Sequence, residues 1–385
     1  MRYLLLLSIT IFLSCISFFS TAEINFQGFA SFVGGTTLDK KDTPYNGYEN
    51  KLEFDKNSLY ALQASSNLGD GLTVTGQMIA RGNENYKPEF EWMYASYNLT
   101  PTLNIKAGRI RTPFYMFSEY LEVGYTYHWI RPPVELYAAQ VTNMDGVSFL
   151  YNRPFGSIDS QWMLSMGNRE GFSEDPNTTV SNYKPLIAAN AQFELDNYIL
   201  KLIYTQGNIT IASSDITTAG ASFTDASFVS KHVEVTDSQV IFAGAALDMT
   251  FNEIKVLLEF SNIDFDDLLL AADETRLLAS VAYSLSDSLL VHYSWSANQK
   301  DSDASLANNA TGDTAIPIGG GNFLPNSSLA TSILTTTDRD ITTHTIGARY
   351  DFHDSAAFKA EIISTEDADL DTDATLLRFG VDMLF

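Results

Sequence analysis

Apolar and polar side chains alternate along most of the chain. In the stretch IKVLLEF (254–260), every second side chain is apolar, and Lys255 and Glu259 lie on the opposite face. The same alternation recurs in three further stretches: 198–204, 289–295 and 357–363. A period of two residues is that of a β-strand whose two faces meet different environments. The pattern therefore predicts an all-β chain.

Seven short turns alternate with eight longer polar segments, which divides the chain into sixteen strands. The short turns are at 69–71, 100–102, 152–156, 196–197, 251–252, 286–288 and 353–355. The longer segments are 36–53, 82–88, 114–140, 168–183, 208–236, 262–274, 298–338 and 366–373. The longest of them, 298–338, is rich in Gly, Ser, Thr and Asn, and we expect it to be external and mobile. An even strand number with both ends on the short-turn side predicts a closed antiparallel barrel.

The N-terminus has the features of a secretory signal peptide. Arg2 supplies a positive charge, residues 3–19 form an apolar run, and small residues precede a cleavage position between Ala22 and Glu23. A retained membrane anchor and a lipoprotein modified at Cys15 are the alternatives. Cys15 is the only cysteine and leaves with the signal. The mature protein is therefore expected to have no disulfide and no cysteine metal site.

The preceding patterns predict two segments, a signal peptide at 1–22 and one barrel at 23–385. Composition narrows the class of protein further. The chain has 47 acidic and 23 basic residues and a net charge of −24, which argues against a nucleic-acid partner because phosphates demand a basic face. No stretch after residue 22 has the roughly 20 apolar residues that a transmembrane helix needs. Abundant aromatic residues, 25 Phe and 19 Tyr, with a mean hydropathy near zero are typical of an outer-membrane barrel, in which only every second strand residue is apolar.

Two motifs stand out from this regular pattern. The stretch AGRIRTPF (107–114) leads from a predicted strand into the third long segment, 114–140, which is dense in Glu, Tyr and Trp. The stretch ATLLRFGVDMLF (374–385) alternates strictly, and Phe385 completes a five-member apolar face. Chain ends are usually loosely ordered, so this pattern favours a membrane-barrel strand over an ordinary terminal strand.

In these motifs and in its strand rhythm the chain resembles the Gram-negative outer-membrane porins. The resemblance implies a sixteen-stranded, trimeric barrel in the outer membrane, surrounded by lipopolysaccharide and lipids, that lets small hydrophilic solutes and ions diffuse passively. It implies that the barrel-assembly machinery reads Phe385, and that the third long loop folds into the pore. No cofactor and no metal are implied. The PEFGG-type tip of the enterobacterial general porins is absent from this loop.

The porin resemblance also implies the candidate site residues. Candidates for the pore constriction are Lys106, Arg109, Arg111, Glu119, Glu122, Arg131 and Glu135. Candidates for the pore lining, by inward parity, are Lys201, Lys255, Glu259, Arg349, Lys359, Glu361 and Arg378. Parity points Lys106 inward but Arg109 and Arg111 outward, unless a bulge at Gly108 resets the phase. The alternative is that the segment contacts a neighbouring subunit.

Other candidate chemistry is weak. The five histidines fall on different predicted hairpins without metal-ligand spacing, and we expect each to be a lone polar residue. No G-x-S-x-G elbow occurs. The acidic runs 264–267 and 366–373 are expected to be solvated, or to hold a divalent cation. A substrate-selective porin of the phosphate or organic-acid type is the second hypothesis, and a barrel enzyme or adhesin the third.

Overall fold

The computed structural model describes residues 23–39, 44–138, 141–171, 180–212, 220–266, 268–269, 271–319 and 322–385, and the predicted signal peptide lies outside them. The strands are β1 (Ile24–Thr37), β2 (Leu59–Gly69), β3 (Leu72–Arg81), β4 (Pro88–Thr100), β5 (Leu103–Arg111), β6 (Asn143–Phe155), β7 (Ile158–Arg169), β8 (Val180–Leu195), β9 (Tyr198–Ala212), β10 (Ser238–Phe251), β11 (Ile254–Phe265), β12 (Asp273–Ser286), β13 (Leu289–Asp301), β14 (Asp313–Gly319), β15 (Asn322–Pro325), β16 (Arg339–His353), β17 (Ala356–Asp367) and β18 (Thr372–Leu384). The short helices are α1 (Val134–Tyr137), α2 (Ala226–Phe228), α3 (Leu306–Asn309) and α4 (Asn326–Thr337).

Sixteen of these strands form one closed antiparallel barrel. Each pairs with its neighbours along the chain, β1 pairs with β18 to close the barrel, and β13 pairs directly with β16. The other two strands, β14 and β15, form a separate two-stranded sheet within the β13–β16 connection. The predicted strand number and the closed barrel are confirmed. No helix among the described residues is long and apolar enough to cross a membrane.

Alternation along each strand separates an apolar outer face from a buried inner face. On β11 the side chains of Leu258 and Phe260 are 44% and 42% exposed, whereas Glu259 between them is 4% exposed. Large apolar side chains at the outer positions suit a lipid environment, and polar inner positions suit an aqueous interior. The buried faces of the strands therefore look into the barrel.

The wall of the barrel is uneven in height. β3 and β5 have 10 and 9 residues, whereas β8 and β9 have 16 and 15. Because each strand residue adds about 3.3 Å, the wall is lower around β3 to β5 than around β8 and β9. The AGRIRTPF motif (107–114) lies at the end of β5, on this lower side of the wall.

The longest loop is more structured than its composition indicates. It contains α3, α4 and the β14–β15 hairpin. It packs against the β9–β10 and β11–β12 connections in one apolar cluster that includes Phe228, Leu269, Leu306 and Leu334. Apolar residues three and four positions apart give α4 a buried face, and the external, mobile character of the segment remains a prediction. Residues 320–321 of its glycine run lie outside the described residues.

The closing seam involves Phe385 directly. Its backbone N–H donates to Gly28 O (3.0 Å), and the Gly28 N–H donates to Phe385 O (2.7 Å). Its ring stacks on Tyr60 with centroids 5.4 Å apart. A Cβ on Gly28 would lie 2.3 Å from that ring, so the glycine leaves room for it. Phe385 thus extends the β1–β18 pairing by one residue.

Removing Phe385 should slow assembly of the barrel, because the seam loses two backbone hydrogen bonds and the Tyr60 stack. Phe385→Ala, which keeps the backbone bonds, should have a smaller effect. Phe352→Ala removes another exposed outer ring away from the seam and serves as the control. The readout is the fraction of heat-modifiable, folded barrel over time in outer membranes and in detergent. Equal assembly of the deletion variant and the control would contradict the proposed role of the seam.

Candidate functional site

The connection between β5 and β6 (residues 112–142, the β5–β6 loop) has little regular structure. It contains two single-turn 3-10 helices, Ser118–Tyr120 and Gly124–Thr126, and the one-turn helix α1. Most of its backbone N–H and C=O groups therefore need partners outside helices and sheets. Side chains from the inner faces of β9, β11, β12, β16 and β17 supply many of them, as the following contacts show.

Lys201 and Glu259 hold the first part of the loop. The Lys201 ammonium donates to the carbonyls of Tyr115 and Met116, at 3.2 Å each. The Glu259 carboxylate accepts from the Met116 N–H (2.8 Å) and from the Tyr137 hydroxyl. Both residues have the predicted inward parity, but each is only 4% exposed. They lie beneath the loop instead of lining open space.

Lys359 and Glu361 hold the middle of the loop. The Lys359 ammonium donates to the carbonyls of Gly124 (2.6 Å) and Trp129 (2.7 Å). The Glu361 carboxylate accepts from the Ile130 N–H (2.8 Å). Charged groups make stronger hydrogen bonds than neutral ones, so these contacts fix the loop backbone at well-separated points.

Two arginines complete the set of anchors. Arg349 donates to the carbonyls of Tyr125 and Tyr127, at 2.6 Å each. Arg276 on β12 donates to the carbonyl of Leu136 (3.1 Å). Arg276 was not among the predicted site residues, although its inward parity on an alternating strand was a usable signal. Five inner-face strands together thus bind one loop.

Glu135 is not a constriction carboxylate. It is 4% exposed and accepts hydrogen bonds from the hydroxyls of Tyr45 (2.6 Å), Ser296 (3.0 Å) and Thr343 (2.8 Å). These contacts connect α1 to β13, to β16 and to the β1–β2 loop. The prediction for Glu135 is wrong because the short helix α1 turns this side chain towards the wall.

Aromatic rings fill the space between the anchors. Phe117 is 5.1 Å from Tyr127 and 5.9 Å from Tyr137, centroid to centroid, and the Tyr137 ring is stacked on it at an interplanar angle of 12°. The indole N–H of Trp129 donates to Ser294 Oγ (2.8 Å). Such ring pairs contribute about 0.5–1.5 kcal/mol each beyond the area that they bury. The cluster makes the loop a packed element.

One edge of the loop remains exposed, at Glu119 and Tyr120. Glu119 makes no ion pair within 4 Å with any residue that the structure describes. Glu119 therefore presents a carboxylate that no cation of the described residues approaches within 4 Å.

An ion cluster connects the loop to the low side of the wall. Arg81 on β3 donates to Glu122 of the loop (3.0 and 3.1 Å), to Glu91 (2.6 Å) and to Glu89. Arg111 at the end of β5 also donates to Glu91. Neither Arg81 nor Glu91 was predicted as a site residue. Both belong to a network in which guanidinium groups and carboxylates alternate.

The electrostatics of Glu122 follow from this cluster. Burial alone acts to raise the pKa of its carboxyl group, but the guanidinium groups of Arg81, Arg131 and Arg111 outweigh burial and hold the pKa below its usual value. The Glu122–Arg81 contact is therefore fully charged at neutral pH. It weakens only as the pH falls through that lowered pKa.

A β-bulge explains how Arg111 reaches the cluster. Gln77 pairs with Trp92 and Met78 pairs with Phe90, so Glu91 is an extra residue in β4. The bulge turns the side chain of Glu91 inward, where it accepts a hydrogen bond from Arg111. A bulge at Gly108 was the condition under which both arginines would point inward; the structure has the bulge on the neighbouring strand, at Glu91.

Arg109, in contrast, lies on the outer face. The register of β5 runs without interruption past Gly108, and Arg109 pairs across from Met93 and Asp145. Met93 is 57% exposed on the same outer face. Arg109 donates to Asp145 at 2.9 and 3.1 Å. Its assignment to the pore constriction is therefore wrong, because no bulge changes its parity.

The remaining predicted residues lie on the inner side in charged or aromatic contacts. Lys106 is 5.3 Å from the ring centre of Tyr94. Lys255 pairs with Asp248 (2.9 Å), and Arg378 pairs with Glu361 (2.8 Å). Arg131 donates to the Asn57 carbonyl (3.0 Å).

A cleft lies between the β5–β6 loop and the connections that precede β2 and β4. Its volume is about 500 Å³. Its charged lining residues are Lys56, Arg81, Glu84, Glu89, Glu122, Arg131 and Arg169. Four cationic side chains and three carboxylates thus share one opening, although the whole chain has a net charge of −24.

Two histidines meet beneath the loop. The ring centres of His128 and His292 are 4.8 Å apart, and His128 Nε2 is 3.0 Å from Ser280 Oγ. The expectation that each histidine is isolated is wrong for this pair, because the loop carries His128 across to β13. Burial holds the pKa of His128 well below its usual value, and the neighbouring His292 adds to the effect.

Among the described residues, no group of three or more His, Cys, Asp or Glu side chains is placed to hold a metal ion.

Solved structures similar to this barrel are outer-membrane proteins. The outer membrane channel DcaP of Acinetobacter baumannii is 12% identical, with a TM-score of 0.60 over 94% of this chain and 97% of that one. The anion-selective porin from Comamonas acidovorans is 11% identical (TM-score 0.57; 94% and 100% covered), and the trimer form of OmpT of Vibrio cholerae is 13% identical (0.53; 94% and 99%). Identities this low show a shared fold alone. No protein-family model and no curated sequence matches the chain.

Replacing Arg81 by Gln should loosen the loop at the low side of the wall. Glu122 then loses the guanidinium that it contacts, whereas Glu91 keeps its contact with Arg111, and a buried carboxylate deprived of its cation is costly. We expect a lower melting temperature in detergent, equivalent to roughly 1–3 kcal/mol, and faster protease cleavage within 112–142. Arg169→Gln, which changes an arginine of the same cleft that has no ion pair among the described residues, is the control. Identical stability of the two variants would show that the cluster does not hold the loop.

Proposed function

We propose that this protein is an outer-membrane channel whose aperture is bounded by the β5–β6 loop, and that small hydrophilic solutes and ions pass through it by diffusion. The observation that carries the proposal is the set of loop contacts with Lys201, Glu259, Arg276, Arg349, Lys359 and Glu361. All six side chains project from inner-face positions. A loop bound at all six lies inside the barrel and reduces its cross-section.

Charge at the aperture gives the channel its selectivity. Glu119 at the exposed loop edge has no cationic partner within 4 Å, whereas the cleft beside the loop contains Arg81 and Arg131. Opposite charges across a narrow opening create a transverse field that orients dipolar solutes and favours one sign of ion. The field is strongest where solvent screening is weakest.

The arrangement favours a general channel over a phosphate- or organic-acid-selective one. Arg81 and Arg111 are the two arginines of the ion cluster beside the loop, and carboxylates occupy both of them. A site that selects anions needs guanidinium or ammonium donors left free for the solute. Diffusive passage of small polar solutes requires no such free donor.

The outer face fits the surroundings that the proposal requires. Its exposed apolar side chains would contact outer-membrane lipids and lipopolysaccharide, and the Phe385 seam is the element that the barrel-assembly machinery would engage. An N-terminal signal at 1–22 would direct the chain through the inner membrane.

Substitutions at the aperture should change ion selectivity in planar bilayers. Glu119→Gln and Glu122→Gln should each shift the reversal potential in a salt gradient towards anion preference, because each removes a negative charge. Arg111→Gln should shift it towards cation preference. The shifts should grow at low ionic strength, because the Debye length is about 10 Å at 0.1 M salt and longer below it.

Arg109→Gln is the matched control for Arg111→Gln, because it removes the same charge from the outer face. Its reversal potential should equal that of the wild-type channel. If Arg109→Gln and Arg111→Gln shift the potential equally, the placement of the aperture is wrong. If the wild-type barrel shows no conductance at all, the channel function is wrong, and lipase and protease assays on the same preparation would test the enzyme hypothesis.

We further propose that the barrels associate through the outer face of the low wall, around the Arg109–Asp145 pair. An arginine exposed to lipid costs about 2–4 kcal/mol near the bilayer midplane, yet here an ion pair projects outward from the barrel wall. Small outer residues beside it, such as Gly76 and Ala95, would let another barrel approach closely. The trimeric form of a structurally similar barrel makes a homotrimer the expected assembly.

The double variant Arg109→Leu with Asp145→Leu tests this surface. If lipid covers the pair, apolar side chains should leave the barrel equally or more stable. If a second subunit covers it, the trimer should dissociate at lower temperature, because the polar contacts with that subunit are lost. Cross-linking and native gels measure the assembly, and Tyr204→Leu on the outer face of β9, four strands away from β5, is the control. An unchanged trimer in the double variant would rule out this surface.

A further inference from the structure

The outer face of the barrel contains a groove along β8. Two alanines, Ala189 and Ala191, form its floor. Their register partners on β7 and β9 are large apolar side chains, which form the two walls of the groove: Trp162, Leu164, Leu202 and Tyr204. Ala191 is 9% exposed, whereas Trp162 and Tyr204 are 43% and 45% exposed. The volume of the groove is about 490 Å³, and no side chain of the described residues fills it.

The shape of the groove fits a single acyl chain. Neighbouring strands lie about 4.8 Å apart, so the backbones of the two walls are roughly 10 Å apart with the alanine floor between them. The outward-facing lining is apolar and aromatic, and burial of apolar surface is favourable. On the outer face of a barrel in the outer membrane, lipid hydrocarbon is the apolar partner that surrounds the wall.

A cation lies just beyond one end of the groove. The lining ends towards the short turns at Tyr151 and Trp162, which are paired across β6 and β7. Arg153 is the next outward position on β6, about 7 Å nearer the turn than Tyr151. Its guanidinium is 5.4 Å from the ring centre of Phe155 and makes no ion pair within 4 Å with any residue that the structure describes. Arg109, which also faces outward, is in contrast bound to Asp145.

The position of Arg153 indicates both a leaflet and a charge. Outer-membrane barrels have their short turns on the periplasmic side and girdles of aromatic side chains at the two membrane interfaces. Tyr151, Phe155 and Trp162 match such a girdle, so Arg153 lies at the level of the headgroups of the periplasmic leaflet. The other six short turns contain four Asp residues and no Lys or Arg. An anionic headgroup is therefore attracted to this part of the turn side and repelled by the rest.

We propose that the groove and Arg153 together bind an anionic phospholipid of the periplasmic leaflet. One acyl chain lies against Ala189 and Ala191, and the phosphate accepts hydrogen bonds from the Arg153 guanidinium, whose planar fork matches two phosphate oxygens. The glycerol unit spans the step between Tyr151 and Arg153. The site depends on the placement of the barrel in a membrane and not on conduction, because the groove is on the face opposite to the lumen.

Trp162 is a natural reporter of this site. Trp295, on the outer face of β13, also faces lipid, so Trp295→Phe leaves Trp162 as the membrane-facing reporter and Trp162→Phe leaves Trp295. The other two tryptophans, Trp92 and Trp129, face the interior. Each variant is reconstituted into phosphatidylcholine vesicles that contain either phosphatidylglycerol or phosphatidylcholine with brominated acyl chains, which quench tryptophan fluorescence on contact. In Trp295→Phe, brominated phosphatidylglycerol should quench with an affinity about fivefold higher than that of brominated phosphatidylcholine. In Trp162→Phe the two lipids should quench equally.

Two substitutions separate the headgroup contact from the chain contact. In the Trp295→Phe background, Arg153→Gln should remove the preference for phosphatidylglycerol, and Arg153→Lys, which keeps the charge, should retain it in part. Ala191→Phe fills the floor of the groove and should abolish the retention of phosphatidylglycerol by the purified barrel in native mass spectrometry. Ala348→Phe, on the outer face of β16 six strands away from β8, is the matched control and should retain the lipid.

Equal quenching by the two brominated lipids in Trp295→Phe would overturn the proposal. So would a preference that persists in Arg153→Gln, or one that is equally strong at Trp295. The comparison of the two lipids changes nothing within the site, so it decides the proposal even if Ala191→Phe does not assemble. Ion conductance of the wild-type barrel tests the channel separately: lipid preference without conductance overturns the channel alone, and conductance without lipid preference overturns the lipid site alone.

Discussion

An irregular loop packed against a barrel wall can persist only if its buried backbone polar groups find partners, and this requirement accounts for the charged residues on the inner face. Lys201 and Lys359 each donate to two loop carbonyls, and Glu259 and Glu361 accept from loop N–H groups. Buried backbone groups without partners are rare in proteins because each is costly. The inward-facing charged residues of β9, β11, β12, β16 and β17 therefore serve mainly to hold the loop. Burial of their charges is tolerated because the loop backbone supplies hydrogen-bond partners for them.

This use of charge limits what remains for solutes. The residues with inward parity were expected to line the pore, but the loop covers most of them. The groups left to act on ions are those at the loop edge and around the cleft, such as Glu119 and Arg131. Selectivity would therefore depend on a few side chains, and the strongly acidic composition of the chain does not determine its sign. The six anchors and Glu119 are different residues, whereas Glu122 both binds Arg81 and contributes charge beside the cleft.

The periodic features were predictable from the sequence, and the departures from period two were not. Alternation and turn residues are local signals, and they gave the strand number and the closed barrel. The bulge at Glu91 changes which side chains meet Arg111, but nothing in PEFEWMY indicates an extra residue. Arg109 and Arg111 have equal parity in the sequence. Their side chains reach opposite faces of the wall only because Arg111 lies at the strand end beside that bulge. The His128–His292 contact joins a loop to a distant strand, which no local pattern encodes.

The uneven wall and the loop have a common consequence. All six anchors are on β9 to β17, the side that includes tall strands, and the loop packs its aromatic rings against that side. Open space is therefore left towards the low wall, where Arg81 and Glu122 connect the loop to β3. The same low wall carries the outward Arg109–Asp145 pair on its other surface. Arg109 and Arg111, which are two positions apart in AGRIRTPF and equal in parity, thus contact opposite surfaces of the wall, so β5 links the surface proposed for association to the proposed aperture.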